Sequence, residues 1–383
     1  MENSIKKELE NAKRIVFKFG TNVLRNEFGE ISLSRIYSFI EDISKLHKQG
    51  KEVIIVTSGA VGLGAKKAGV NSNESITMKQ ACAAIGQGQL ISIYENGFDR
   101  YKINTAQILL TEDDFSDRIR YLSLSNVLYT LLKLKVIPVI NQNDTVSVRE
   151  LENVKDGMIV CFSDNDKLSA LLSSKIEADL LVILSDIDGL YDSNPKENPN
   201  AKLIPIVEEI TEELESYACG TQANSGGRGG MKTKLEAAKV VTRSGGKVII
   251  ANGKTPSIIS KIFNEDTGTL FLPTETLAGK KRWIAYATNI IGKVCINDGA
   301  KKAIVEKEAS LLPIGVTEII NDFQKGDVVS IVDSDGREFA RGIANYSSED
   351  SRKITGAHSD EIINILGYKN YDALITRDYI VLL

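Results

Sequence analysis

Six short apolar runs, separated by longer stretches of helical periodicity, constrain this chain more than any other feature. They are RIVFKFG (14–20), EVIIVTSG (52–59), KINTAQILL (102–110), VIPVIN (136–141), ADLLVILSD (178–186) and KVIIANG (247–253). Their β-branched content and their boundaries at Gly, Asn, Asp or Ser predict strands. Several are apolar almost throughout, the pattern of central strands covered on both faces. Helices are expected over roughly 33–49, 77–95, 119–133, 166–176 and 231–244. Strands alternating with helices give an α/β fold, a mostly parallel central sheet with helices on both faces. In such a fold ligands bind beyond the carboxyl ends of the strands, where this sequence concentrates its Gly, Ser, Asn and Asp.

The pattern changes after residue 262. The segment FNEDTGTLFLPTETLAGKKR has few helical signals and reads as an exposed connection. Beyond it come shorter pieces, IGKVCIN, AIVEK, DVVSIVDSDGREFARGIANY and DYIVLL, with Asp335-Gly336 as a hairpin signal between two alternating runs. A chain of 383 residues accommodates two domains. The expected division is an N-terminal extension over 1–13, an α/β domain over 14–262, a linker over 263–280 and a small β-rich domain over 281–383.

Charge and cysteine usage exclude several classes. With 47 Lys and Arg against 51 Asp and Glu, the chain lacks the basic excess of a protein that binds nucleic acid over its whole surface. The beginning, MENSIKKELENAKR, has no apolar core of a signal peptide, and no run is long enough for a membrane helix. Cys82, Cys161, Cys219 and Cys295 are widely spread and form no CxxC pair, which speaks against a disulfide scaffold or a thiolate zinc site. His47 and His358 are the two histidines, so a histidine cluster is not expected. A cytoplasmic location without membrane attachment is the expectation.

Five segments carry residues suited to phosphoryl transfer. Lys18 stands near the end of an apolar strand, where burial demands an anion unless its stem snorkels to the surface. TSGAVGLG (57–64) follows a strand, and its small residues either allow close backbone approach to a ligand or form a plain turn; Ser58 there can donate to a substrate. It is neither a GxxxxGK[ST] loop nor a GxGxxG fingerprint. NQNDTVS (141–147) and FSDNDKLSALLSSKI (162–176) place Asn141, Asp144, Asn165 and Asp166 near strand–helix junctions. Asp164 or Asp166 can cap a helix, but so many amides and carboxylates also suit an amino acid's ammonium and carboxylate. Asp166 can further hold lysines by charge pairing. LSDIDGLYDSNP (184–195) offers Ser185 and Asp186 to a nucleotide, or makes a simple turn. In SGGRGGMKTKLEAAKVVTRSGG (225–246), glycines precede a strong helix former run, so backbone amides and Lys234 can meet phosphates; Lys232, two positions away, should point elsewhere.

At these motifs the sequence resembles the glutamate 5-kinase family of the amino acid kinase superfamily. KFGT, TSGAVGLG, NQND, SDNDKLSA, SDIDGLY and GGRGGMKTK follow the family's order, and KRWIA, INDGAKKAI, SLLPIGV and ITGAHSDEIINILGY resemble its appended PUA domain. The resemblance implies that Lys18 and Lys234 are catalytic and contact phosphate, with Asp166 organising them. It implies that Ser58, Asp144 and Asn165 bind glutamate; Asn141 joins them as a substrate-binding candidate on its residue type and place alone. ATP would meet Lys18, Ser185 and Asp186, and the loop Arg228, Gly229, Gly230, Met231, Lys232, Thr233 and Lys234. The implied reaction converts ATP and L-glutamate to ADP and L-glutamyl 5-phosphate, the first step towards proline. Mg2+ would enter with ATP, held mainly by phosphates and water, with no protein metal ligands assigned. Proline as feedback inhibitor, a homo-oligomer (dimer or tetramer) and channelling to the next enzyme of the proline pathway are further implications.

Three positions depart from the family pattern: Gln142 where NEND is common, Ser185 for a frequent threonine, and Arg228 where GTGGM is usual. None replaces Lys18, Asp166 or Lys234. Two other readings compete, a related enzyme such as an aspartate kinase, and an RNA-binding or RNA-modification protein acting through the PUA-like part. Residues 280–383 hold 14 Lys and Arg against 15 Asp and Glu, without the basic excess strong backbone binding uses.

Overall fold

The computed structural model describes residues 5–111, 113–116, 118–146, 165–195, 197–219, 230–274, 284–285, 290 and 292–383. These fall into two compact units, one before and one after the residues near 276.

The first unit is built on an eight-stranded sheet. Its strands are β1 (Arg14–Phe19), β2 (Glu52–Val56), β3 (Thr105–Leu110), β4 (Ile137–Gln142), β5 (Leu180–Ser185), β6 (Ile206–Val207), β7 (Lys247–Asn252) and β8 (Thr269–Phe271). They lie in the order β3-β4-β2-β1-β5-β7-β8-β6. The six runs read from the sequence form the six-stranded parallel part, and β8 joins β7 antiparallel. β1 is the centre, with Lys18 in register between Val56 of β2 and Ile183 of β5. Five of its six residues are buried, because helices cover both faces.

The helices that place the site are α1 (Ile5–Leu9), α2 (Thr21–Leu24), α3 (Leu33–Lys48), α4 (Ala60–Ala68), α5 (Ile76–Asp99), α6 (Asp113–Ser116), α7 (Arg118–Lys133), α8 (Asn165–Lys175), α9 (Glu212–Cys219), α10 (Met231–Thr242) and α11 (Ile258–Asn264). α3 presents buried Ile36, Phe39, Ile40 and Ile43 at helical spacing. α8 lies in the connection between β4 and β5, which stand on opposite sides of β1. Its first residues therefore stand at the crevice between the two halves of the sheet.

The structure revises four sequence expectations. Most of TSGAVGLG is not a loop: only Gly59 turns, with φ of 106°, and α4 begins at Ala60. Gly64 faces α5 instead, where a Cβ would fall 1.7 Å from the Cys82 carbonyl oxygen, and a Cβ on Gly86 would fall 1.9 Å from the Ala60 carbonyl oxygen. The expected N-terminal extension 1–13 contains α1, whose Ile5 and Leu9 lie in the main core, while Lys247 pairs with Glu8. The expected linker 263–280 begins inside α11 and contributes β8, with Leu270 and Phe271 fully buried. That strand is three residues long, too short for periodicity to reveal. AIVEK lies in a helix, Asp298–Lys307, whose N-cap Asn297 accepts from the Ala300 N–H.

In the second unit, β9 (Gly292–Ile296), β10 (Val316–Ile320), β11 (Val328–Val332), β12 (Glu338–Ile343) and β13 (Ile380–Leu382) form a sheet in the order β10-β9-β11-β12-β13. β11 and β12 are the expected hairpin, with Gly336 at φ of 77° in its turn. Among the described residues no helix is long and apolar enough to cross a membrane.

The α4–α5 contact gives a direct stability test. Gly64→Ala and Gly86→Ala should each destabilise by about 1–3 kcal/mol through overpacking against backbone. Gly88 lies in α5 with open space around it, so Gly88→Ala should stabilise by about 0.5–1 kcal/mol. Denaturant midpoints of the three variants check the contrast, and equal shifts for all three would refute the close packing.

Candidate active site

Strand order brings the predicted residues into a row. β4, β2, β1 and β5 are neighbours, so Asn141, the Thr57-Ser58 turn, Lys18 and Ser185 share one edge of the sheet. Adjacent strands lie about 4.8 Å apart, and parallel pairing puts all their carboxyl ends on that edge.

The row has a charged part. Asp166 is fully buried in the first turn of α8, inside the helix rather than capping it. Lys18 Nζ lies 2.5 Å from its Oδ1, and Lys234 Nζ lies 3.1 Å from its Oδ2. Thr233 Oγ1 is 3.2 Å from the same Oδ2. Both lysines are more than nine-tenths buried. Lys18 therefore does not snorkel: a lysine in a strand covered on both faces finds its counter-ion at the start of the crossover helix. Burial alone would raise the Asp166 carboxyl, but the Lys18 and Lys234 ammonium charges and hydrogen bonds outweigh it and hold the group well below the ordinary carboxylate range. Across the trio there is a formal excess of one positive charge in a dry setting, which favours an anion.

Next to it stands an uncharged part. Asn165, the neighbour of Asp166, donates from Nδ2 to the Thr57 carbonyl at 2.7 Å and to Ser58 Oγ at 2.7 Å. It also lies 3.3 Å from Asn141 Oδ1, which accepts from the Gln142 N–H at 2.9 Å. Asn141 Nδ2 donates to Gln87 Oε1 of α5 at 2.9 Å. Behind the turn, Thr57 Oγ1 shares a hydrogen bond with the buried Tyr94 hydroxyl at 2.8 Å. Asp144 sits half-buried in the turn after β4.

On the other side of Lys18, Ser185 ends β5 and Asp186 accepts from Asn22 Nδ2 at 3.0 Å. Partial burial pushes the Asp186 carboxyl up, while Asn22, Ser185 and the charge of Lys254 bring it below its usual range. α10 starts after Gly230, with Met231 and Lys234 buried and Lys232 exposed, as the helical spacing predicts. Arg228 and Gly229 lie outside the described residues. Sequence reasoning missed Gln87 and Asn22; each is a single polar residue in a helix without a motif of its own.

The lysine–aspartate–lysine trio predicts a pH effect. Because the folded value of Asp166 is depressed, the unfolded chain takes up this proton first on acidification. The stabilisation is complete above about pH 4 and is lost as pH falls through the depressed folded value. Asp166→Asn should lower stability near pH 7 by about 3–5 kcal/mol, since two buried ammonium groups lose their counter-ion. Its stability should also fall less steeply with acid than that of the parent chain; urea melts across the acid range measure both, and parallel acid limbs would contradict the assignment.

Residues 13–252 match the amino acid kinase family, and residues 292–366 match the PUA domain. A glutamate 5-kinase from Thermoanaerobacter sp. strain X514 is 47% identical over 373 residues, covering 97% of this chain and 98% of its own length. A glutamate 5-kinase from Methanosarcina mazei is 44% identical over 383 residues, covering 97% of both chains. One from Syntrophus aciditrophicus is 42% identical over 381 residues, covering 99% of this chain and 96% of its own. With a buried lysine–aspartate–lysine trio at the carboxyl ends of its parallel strands and similarity running through both units, the chain belongs to the amino acid kinase family, among the glutamate 5-kinases that end in a PUA domain.

Proposed function

We propose that the chain transfers the γ-phosphoryl group of ATP to the side-chain carboxylate of L-glutamate, giving L-glutamyl 5-phosphate and ADP, as the first step of proline biosynthesis. The observation that carries this reading is the adjacency of Asn165 and Asp166. One joins the uncharged set of Ser58 and Asn141, the other the charged set of Lys18 and Lys234. An amino-acid site and a phosphate site thus meet at two consecutive residues.

In the proposed reaction a glutamate carboxylate oxygen forms the new bond to the γ-phosphorus while the bond from that phosphorus to the β–γ bridging oxygen breaks. The carboxylate is already ionised near neutral pH, so no general base is required. Lys18 and Lys234 offset the charge on the transferring phosphoryl group, and Asp166 holds both ammonium groups in place before substrate arrives. Ser58, Asn141, Asp144 and Asn165 hold glutamate. Ser185, Asp186 and the start of α10, from Gly230 to Lys234, meet the nucleotide, with Arg228 and Gly229 extending that loop. Among the described residues no group of three or more His, Cys, Asp or Glu gathers as a metal cage. A Mg2+ would arrive on ATP, held mainly by phosphates and water, where it would neutralise phosphate charge.

On family grounds we further propose proline inhibition at the glutamate site, passage of the acyl phosphate to the next enzyme of the pathway, and a cytoplasmic homo-oligomer. Exposed Ile119, Leu122 and Leu134 on and beside α7 support association with a second copy. For the C-terminal unit, the balanced charge favours support or regulation of the kinase over RNA binding. The two units are proposed to divide the work, residues 14–262 binding ATP and glutamate and 281–383 serving that supporting role.

Hydroxylamine trapping with ATP and Mg2+ tests the substrate: glutamate should yield acyl-hydroxamate, and a preference for aspartate would sink the assignment. In the same assay Lys234→Ala should lower kcat by about 10²–10³ with little change in glutamate KM. An unchanged rate at saturating substrates would remove Lys234 from the chemistry.

A further inference from the structure

Gln87 of α5 accepts from Asn141 Nδ2 at 2.9 Å, and its amide completes the hydrogen-bond chain of the uncharged set. Two backbone groups of invariable polarity set the direction. The Thr57 carbonyl can only accept, so the Asn165 side-chain atom 2.7 Å from it is Nδ2. The Gln142 N–H can only donate, so the Asn141 atom 2.9 Å from it is Oδ1. Asn141 therefore turns Nδ2 towards α5, and the Gln87 atom that meets it at 2.9 Å is Oε1. A side-chain amide is otherwise free to be flipped; here both ends are pinned by the main chain.

This polarity reaches Ser58. Asn165 Nδ2 donates to Ser58 Oγ at 2.7 Å, so the hydroxyl accepts from inside the protein and keeps its own hydrogen for a further acceptor. A carboxylate can only accept, and a donor of this kind suits it. Turning the Asn141 amide over would set its Nδ2 against the Gln142 N–H and Asn165 Nδ2, donors facing donors. The main chain opposes that flip, and Gln87 Oε1 accepts from the Asn141 Nδ2 left facing α5. The tight approach of α4 and α5 at Gly64 and Gly86 brings Gln87, the residue after Gly86, within reach of β4.

The structure assigns Gln87 as a positioning residue for the amino-acid substrate: by accepting from Asn141 Nδ2 it holds that side chain in place, and with it the alignment of Asn165 and Ser58 in the polarity the main chain sets. This rests on the reading of Ser58, Asn141 and Asn165 as the amino-acid site. It acts through Asn141 and not on the phosphoryl group, so it should affect substrate affinity and leave the chemical step alone.

Gln87→Met keeps the side chain's length and removes its acceptor. Glutamate KM should rise about 10-fold, the effect of one lost hydrogen bond, while kcat and ATP KM stay near the parent values and the melting temperature falls by only a few degrees. In an Asn141→Ala background the same substitution should produce no further rise, because the effect runs through Asn141. An unchanged KM, a fall in kcat at constant KM, or additive effects in the double variant would each overturn the assignment. Failure of the substrate reading is separable: if the parent enzyme prefers another acidic amino acid, that reading falls, and the same KM comparison with the preferred amino acid still decides the role of Gln87.

Discussion

The arrangement depends on one buried carboxylate. Asp166 has no access to solvent and sits between two lysines that have almost none. Each partner alone would be costly to bury, and together they still leave one positive charge in excess. A phosphoryl group in transfer carries the charge that this excess lacks. The interaction joins β1, the start of α8 and the start of α10, which are far apart in sequence. It therefore organises the fold's centre and prepares the proposed chemistry with the same atoms.

Parallel topology makes that meeting possible. β1 lies between β2 and β5, and the chain reaches β5 only after building β2, β3 and β4 on the other side. The connection between the halves must start at the carboxyl edge, and α8 starts there with Asn165 and Asp166. The charged and uncharged parts of the site thus share two adjacent positions, and their separation is set by a helix turn instead of by loop conformation. Hydrogen bonds to Thr57 and Gln87 and from the Gln142 N–H then orient the amides of the proposed substrate site.

Much of this was legible in the sequence. The six apolar runs became the six parallel strands because β-branched segments, doubly buried in all but the edge strand β3, have few alternatives. Lys18 stood out as a charge in such a run, and Lys234 as a lysine just inside a glycine-preceded helix. The glycines of TSGAVGLG were harder to interpret. Gly59 serves a turn, whereas Gly64 serves helix contact with Cys82 and Gly86 of the following helix. Composition alone does not separate those uses. β8 escaped notice because three residues show no period, and its burial comes from β7 and β6 beside it.

By itself the sequence determined the α/β class, the edge on which the site would lie, and the lysines and aspartate available to it. These follow from local patterning and from the rule that parallel strands end together. Tertiary structure alone decided that Asp166 bridges both lysines, that Asn165 faces Ser58 and Asn141, and that Gln87 belongs to the same network. Those are distances between residues dozens of positions apart. They depend on strand order and on how closely α5 approaches α4, neither of which any local stretch of sequence encodes.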